Sequence, residues 1–204
     1  MLEKEKHLAQ LKAKIESYAP IKPSTWEALK NIVQFQTIQK GTLLLRHGQI
    51  ARNLHFIAQG ALRAYFTDLE GDFYNKNIFL ENDLACSTVS LLQTAPSNFT
   101  IEALEDCILI NIDYVRYRKL IEEYPDFKDY YIAYIEQQWI IEKEQREVSI
   151  VMENATERYL KLLEKHPNID QRIAQRHLSS HLGITPTQLS RIRKQMNTSK
   201  NDTN

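Results

Sequence analysis

The sequence predicts an α+β protein with three parts: an antiparallel β-barrel or β-roll with flanking helices, one long helix, and a C-terminal helix-turn-helix. Three observations predict this order. Short apolar or alternating runs crowd residues 33–112, as is typical of closely spaced strands. Residues 126–153 contain neither glycine nor proline, and a Gly-Ile-Thr-Pro turn at residues 183–186 joins two short amphipathic patterns.

Composition supports a folded chain with a real core. The 204 residues are 43% hydrophobic and 25% charged, without a long low-complexity tract. We place a β-roll sensor domain at residues 1–125, a dimerisation helix at 126–153 and a helix-turn-helix domain at 154–204. The first 14 residues are charged throughout, and no window approaches the roughly 18 apolar residues that span a bilayer. We therefore expect a cytoplasmic protein that does not contact membranes.

The predicted roll rests on short runs and on glycines between them. Four of the five glycines, at positions 41, 48, 60 and 71, fall at expected turns of this region, where a positive φ is needed. The predicted strand runs are 42–45, 54–58, 61–66, 73–80, 99–104 and 107–112.

The long helix carries a seam of residues at alternating spacings of four and three, which is typical of a coiled coil. A helix of about seven turns has more surface than one small roll can cover, so we expect a second copy of the chain as its partner. The alternative is that the seam faces the chain's own core. The seam residues are Phe127, Tyr131, Tyr134, Gln138, Ile141, Gln145, Val148 and Met152.

The most specific pattern lies between residues 175 and 192. Leu178 and Leu182 give the first helix an apolar side, and Gly183 suits the turn. Thr185 is a good N-cap, and Gln188 completes a T-x-x-Q capping box, so the second helix has a defined start.

The second helix carries side chains that suit DNA on the side opposite its apolar residues. Residues 171–200 hold six Lys or Arg and no acid, whereas the rest of the chain holds 20 basic and 26 acidic residues. We expect Thr187, Gln188 and Arg191 to contact base edges in the major groove of double-stranded DNA. The alternative is an ordinary helical hairpin with a solvated basic side. The expected phosphate contacts are Arg172, Arg176, Ser190, Arg193 and Lys194.

The order of parts, the four glycines of the roll and the segment LGITPTQLSRIRK resemble the CRP/FNR family of transcription regulators. The resemblance covers nearly the whole chain. It implies a cyclic-nucleotide-binding-type β-roll, a dimerisation helix, a winged helix-turn-helix that binds DNA and, for an activator, a contact with RNA polymerase. Arg191 matches a position where family members commonly place a base-contacting arginine. Pro186 and Thr187 depart from the common pattern, so no operator sequence is transferred.

The same resemblance places the family's ligand segment at residues 83–98, where this chain departs from the pattern. Cys86 stands in the glycine place, Ser87 in the acid place and Ser97 in the arginine place. A buried phosphodiester needs a fixed cation or converging amide donors, so we expect no tight binding of cyclic AMP. No cofactor is predicted, and the small-molecule effector is unknown. The expected pocket residues are Cys86, Ser87, Thr88, Ser97 and Asn98.

Other sensor types and activities are excluded or disfavoured. Two cysteines, expected as free buried thiols, exclude a cluster held by four thiolates, and His47 and His55 are expected as turn or packing residues rather than haem ligands. No metal site, phosphate-binding glycine loop or nucleophile motif is present, so we expect no enzyme. Two alternatives remain: a ligand sensor whose C-terminal module binds a protein, and a purely structural dimer.

Overall fold

The computed structural model describes residues 2–67, 70–71 and 73–201. Helices flank and follow a strand-rich region, as the sequence predicts. The helices are α1 (Leu2–Glu16), α2 (Pro23–Lys30), α3 (Thr88–Gln93), α4 (Tyr114–Glu123), α5 (Pro125–Ile135), α6 (Glu142–Met152), α7 (Ala155–Lys165), α8 (Ile169–Arg172), α9 (Gln175–Leu182) and α10 (Pro186–Asn201).

Among the described residues, eight strands form two antiparallel four-stranded sheets. The first sheet has the order β1-β8-β3-β6 and the second the order β2-β7-β4-β5, so β5 is an edge strand. The strands are β1 (Val33–Ile38), β2 (Leu43–Leu45), β3 (Asn53–Gln59), β4 (Leu62–Thr67), β5 (Phe73–Phe79), β6 (Leu84–Ala85), β7 (Thr100–Ala103) and β8 (Cys107–Asp113).

The main core lies within this roll and under the helices that cover it. Phe56, Ile101 and Leu109 are fully buried between the sheets, and Leu11 of α1 and Phe127 of α5 belong to the same apolar cluster. Burial of these side chains stabilises the fold by about 1.5–3 kcal/mol each. The helices on either side of the roll are therefore part of its core.

One continuous helix runs from Pro125 to Met152. It consists of α5, a π-helical segment at Glu136–Ile141, and α6, and the backbone keeps helical angles at both joins. The hydrogen bonds of a π-helix span five residues instead of four, so the segment shifts the phase of the side chains that follow it.

The first three members of the predicted seam contact the chain's own core. Phe127 is fully buried, and Tyr131 and Tyr134 pack against the main core. Their rings meet aromatic side chains outside this helix: the Tyr117–Phe127 and Tyr18–Tyr134 ring centroids lie 5.3 and 5.5 Å apart. The alternative that the seam faces the chain's own core holds for this half of the helix.

The second half of the helix has a different exposed stripe. Ile141, Val148 and Met152 of the predicted seam are 45%, 53% and 76% exposed, and further apolar residues lie beside them at helical spacing. Gln138 and Gln145 of the predicted seam instead line a cleft beside the helix. The exposed stripe is Ile132, Ile140, Ile141, Val148, Val151 and Met152.

The C-terminal helices form a second apolar cluster that also includes roll residues. Tyr159 and Leu178 are buried in it together with Ala61, Leu80 and Leu104. From residue 114 to residue 201 the described chain contains helices and connections but no strand, so the expected wing strands are not among the described residues. No helix in the described part of the chain combines the length and apolar character needed to cross a membrane.

Candidate nucleic-acid interface

Helices α9 and α10 are joined by a three-residue turn at residues 183–185. Gly183 ends α9 with a left-handed φ of 70°, a conformation that glycine adopts without steric cost. Leu178 of α9 and Leu189 of α10 are fully buried, and Ile192 is 8% exposed, so both helices are anchored by their aliphatic sides. The apolar spacing of the sequence explains this arrangement directly.

The start of α10 is fixed by the predicted capping box. The Thr185 backbone N–H donates to Oε1 of Gln188 over 2.8 Å, and the Gln188 backbone N–H donates to the Thr185 hydroxyl over 3.2 Å. These bonds satisfy backbone donors at a helix start, which otherwise lack partners. The Gln188 side chain therefore has its oxygen engaged at the cap, and its amide N–H groups remain for an outside partner.

The outer side of α10, which we call the polar flank, is open to solvent. No acidic residue lies in the first turn of this helix, and no ion pair is found for Arg191 or Lys194 within the described residues. A cationic, unpaired helix side is suited to a polyanion. The polar flank consists of the exposed residues Thr187, Gln188, Ser190, Arg191 and Lys194.

Three other arginines are expected at phosphates. Among them, only Arg176 is both exposed and without an ion pair within the described chain. The Nε atom of Arg176 lies 3.3 Å from Nε2 of His177. Arg172 forms ion pairs with Glu81 and Glu105 of the roll, both at 2.7 Å. Arg193 is half-buried and donates from Nε to the Tyr159 hydroxyl over 2.9 Å. Arg172 and Arg193 therefore hold the C-terminal module together and against the roll.

A buried polar cluster, which the sequence did not reveal, joins α9 to the roll. Arg63 of β4 is 7% exposed and forms an ion pair with Glu102 at 2.7 Å. Its Nη1 donates to Oδ1 of Asn75 over 3.2 Å and to Nδ1 of His177 over 3.1 Å. Asn75 in turn donates from Nδ2 to the His177 carbonyl and from its backbone N–H to the Ser180 hydroxyl.

The charge of His177 is set by this cluster. Burial, with Arg63 and Arg176 beside the ring, lowers the pKa of His177 to about 4. The ring is therefore neutral at pH 7, and its Nδ1 can accept the bond from Arg63. Strand residues and helix α9 are thus tied by bonds that are shielded from water.

Most of the residues expected to line a ligand pocket contact one another, and Ser87 also lines a cavity of about 510 Å³ in the roll. Ser87 and Ser97 are buried, and their hydroxyl oxygens lie 2.9 Å apart. The Cys86 sulfur lies 3.3 Å from the Thr88 hydroxyl, and Asn98 is exposed to solvent. Burial raises the pKa of the Cys86 thiol. This segment holds no cation that could pair with a buried phosphate.

Comparison with known proteins agrees with this architecture. Residues 35–124 match the family model of the cyclic nucleotide-binding domain. No curated protein matches the chain.

Three solved structures resemble most of the chain. FixK2 from Bradyrhizobium japonicum shares 15% identity over 83% of this chain and 86% of its own, with a TM-score of 0.69. The c-di-GMP responsive global regulator CLP of Xanthomonas campestris shares 16% identity over 88% of this chain and 93% of its own, with a TM-score of 0.65. The catabolite activator protein of Thermus thermophilus shares 18% identity over 90% of this chain and 87% of its own, with a TM-score of 0.52. Residues 35–124 are therefore similar to a cyclic nucleotide-binding domain, and the chain has the overall fold of these proteins.

Proposed function

We propose that the protein is a sequence-specific, DNA-binding transcription regulator that acts as a homodimer. The observation that carries the proposal is the position of α10, whose aliphatic side is buried while its polar flank is exposed. A helix of this kind fits the major groove of B-DNA, where side chains near its start reach base edges. The similar folds of a global regulator and a catabolite activator protein agree with this function.

Within the polar flank, we assign base contacts to Thr187, Gln188 and Arg191. Arginine can donate two bonds to O6 and N7 of one guanine, and the free amide N–H groups of Gln188 can donate to base acceptors. Lys194, Ser190 and Arg176 are assigned to the phosphate backbone, which positions the protein without specifying sequence. Arg172 is left out because it pairs with Glu81 and Glu105, and Arg193 is left out because it is half-buried and donates to the Tyr159 hydroxyl.

The roll is proposed to be a cyclic nucleotide-binding-type domain that does not bind cyclic AMP tightly. The Ser87 and Ser97 hydroxyls are buried against each other in the segment where the family places its phosphate-binding acid and arginine. An uncompensated phosphodiester charge there would cost several kcal/mol.

The exposed stripe of the long helix is the proposed dimer interface. Six apolar residues that are 45–80% exposed on one helix form a side that water solvates poorly. The exposed stripe of a second copy can pack against the exposed stripe of the first, because a two-fold symmetric interface uses the same surface on both subunits. The pairing would set the two α10 helices about one DNA turn, or about 34 Å, apart.

The proposal is tested by selecting bound sequences from a library of random DNA duplexes at low salt. We expect enrichment of a two-fold symmetric motif whose half-site centres lie about 10–10.5 base pairs apart, or a multiple of one turn. Absence of any enriched motif would contradict sequence-specific DNA binding, and it would favour the alternative in which the C-terminal module binds a protein.

Val148→Asp is expected to weaken self-association at least about 100-fold, because two like charges would be brought into the apolar interface of each dimer. Sedimentation velocity across a concentration series measures this change. Val115→Asp is the matched control, since Val115 is also exposed, at 65%, but lies on α4 away from the stripe. Equal dimerisation of the two variants would rule out the stripe as the interface.

A further inference from the structure

An interdomain cleft of about 730 Å³ lies where the roll, the long helix and the C-terminal module meet. Its walls come from edge strand β5, from α6, and from helices α7 and α9. A cleft of this size can hold a drug-sized or nucleotide-sized molecule. The residues expected to form the ligand pocket, from Cys86 to Asn98, do not line it.

The charge of the cleft is strongly unbalanced. Six Lys or Arg side chains line it, whereas its acidic lining residues are Asp83 and Glu142. Lys165 pairs with Glu142 at 3.5 Å, and Lys161 pairs with Glu153 outside the cleft. The lining cations are Lys14, Lys76, Arg146, Arg158, Lys161 and Lys165.

Four of these cations have no carboxylate partner within the described chain: Lys14, Lys76, Arg146 and Arg158, whose guanidinium donates to the backbone carbonyls of Glu153 and Leu182. Arg146 donates from Nη1 to Oδ1 of Asn77 over 2.9 Å, and this amide leaves its charge uncompensated. Several uncompensated cations that face one space create a positive potential, which attracts anions.

The neighbouring titratable groups respond to this potential. Burial and then Arg146 lower the pKa of Lys76. Burial, with Arg146 again contributing, lowers the pKa of His181 to about 4, so its ring is neutral at pH 7. Burial raises the pKa of Asp83, and nearby cations act in the opposite direction.

The cleft also offers aromatic surface. Tyr18, Tyr74, Phe79 and Tyr134 line it together with the cations. Aromatic rings next to fixed charges suit an organic ligand that has both a planar or apolar part and anionic groups.

We infer that the interdomain cleft is the binding site for a small organic polyanion that carries phosphate or carboxylate groups, with Lys76 and Arg146 as its principal partners. The ligand would touch the roll through Lys76, the long helix through Arg146 and the C-terminal module through Arg158. Its binding would therefore favour one placement of the module relative to the roll. The site stands on its own geometry, while its effect on DNA affinity rests on the proposed function.

A dimer formed through the exposed stripe would leave this cleft open. Arg146 lines the cleft, whereas Val148 and Val151 lie in the exposed stripe on the other side of α6. A second copy seated on the stripe would thus not cover the cations.

Isothermal titration calorimetry with the full-length protein at low salt tests the inference, with ATP, pyrophosphate and citrate as probes. At least one probe is expected to bind saturably, and Arg146→Gln and Lys76→Met should each weaken binding about tenfold, as expected for loss of a charge-assisted hydrogen bond. Stronger binding of ATP or pyrophosphate would indicate a phosphate ligand, and stronger binding of citrate a carboxylate ligand. Lys119→Gln is the control, because Lys119 is an exposed cation on α4 outside the cleft.

The inference is overturned if none of the three probes binds saturably at millimolar concentration, or if Arg146→Gln binds as the Lys119 control does. Arg146 is exposed, so its replacement should leave the thermal unfolding of the protein unchanged, and this is checked first. Binding is measured without DNA. If the protein binds an anion but selects no DNA motif, the anion site stands and the proposed function is wrong. If it selects a DNA motif but binds no anion, the proposed function stands and the anion site is wrong.

Discussion

Replacing Arg191 and Lys194 together by alanine is expected to weaken binding to the selected operator about 100-fold, since a base-contacting arginine contributes about 1–3 kcal/mol and a phosphate-contacting lysine adds to it. Both side chains are exposed on α10 and make no ion pair within the described residues, so removing them takes away no interaction that holds the fold. Fluorescence anisotropy with labelled operator duplex measures the change.

Salt dependence separates the roles of the two side chains. The slope of log affinity against log salt should become shallower by about 0.9 for each phosphate that the variant no longer neutralises. Arg116→Ala with Lys119→Ala is the matched control, because this pair is also exposed, also three residues apart, and lies on α4. If the two double variants bind operator equally well, the assignment of the polar flank to DNA is wrong.

Arg63→Met is expected to destabilise the protein by about 3–5 kcal/mol, the usual effect of removing one partner of a buried ion pair. The change leaves Glu102 without its cation and removes the donor that Nδ1 of His177 and Oδ1 of Asn75 share. Urea unfolding followed by circular dichroism measures the free energy of unfolding.

Two further variants make the result specific. Arg52→Met removes an exposed arginine and should change the free energy of unfolding by less than about 0.5 kcal/mol. Adding Glu102→Gln to Arg63→Met should recover part of the stability, because the uncompensated carboxylate is then replaced by a neutral amide. A decrease below about 1 kcal/mol for Arg63→Met would mean that the cluster does not stabilise the packing of α9 on the roll.

Local sequence patterns predict the C-terminal motif in most of its detail. The cap at Thr185, the turn at Gly183 and the buried sides of both helices depend on residues that are close together in the chain. Most strands also lie within one or two residues of their predicted positions, but β1 and the two-residue β6 are not identified by the sequence pattern. β1 alternates apolar and polar residues only over residues 33–36, and it pairs with β8, which lies 69 to 79 residues further along the chain.

Features that depend on distant residues do not follow from local patterns. Arg63 and His177 are 114 positions apart, and the sequence around either residue does not predict their contact. The π-helical segment Glu136–Ile141 likewise follows from packing rather than from residue type, and it separates a core-facing half of the long helix from an exposed half. A single repeat of four and three residues therefore could not describe the whole helix.

The central claim is that α10 places Arg191 in the major groove of DNA. Methylation interference on the selected operator tests it, because N7 of guanine faces the major groove and N3 of adenine the minor groove. We predict that N7 methylation of one guanine in each half-site prevents binding of the unaltered protein and no longer matters for Arg191→Ala. Interference confined to adenine N3, or a guanine pattern that Arg191→Ala leaves unchanged, would contradict the account.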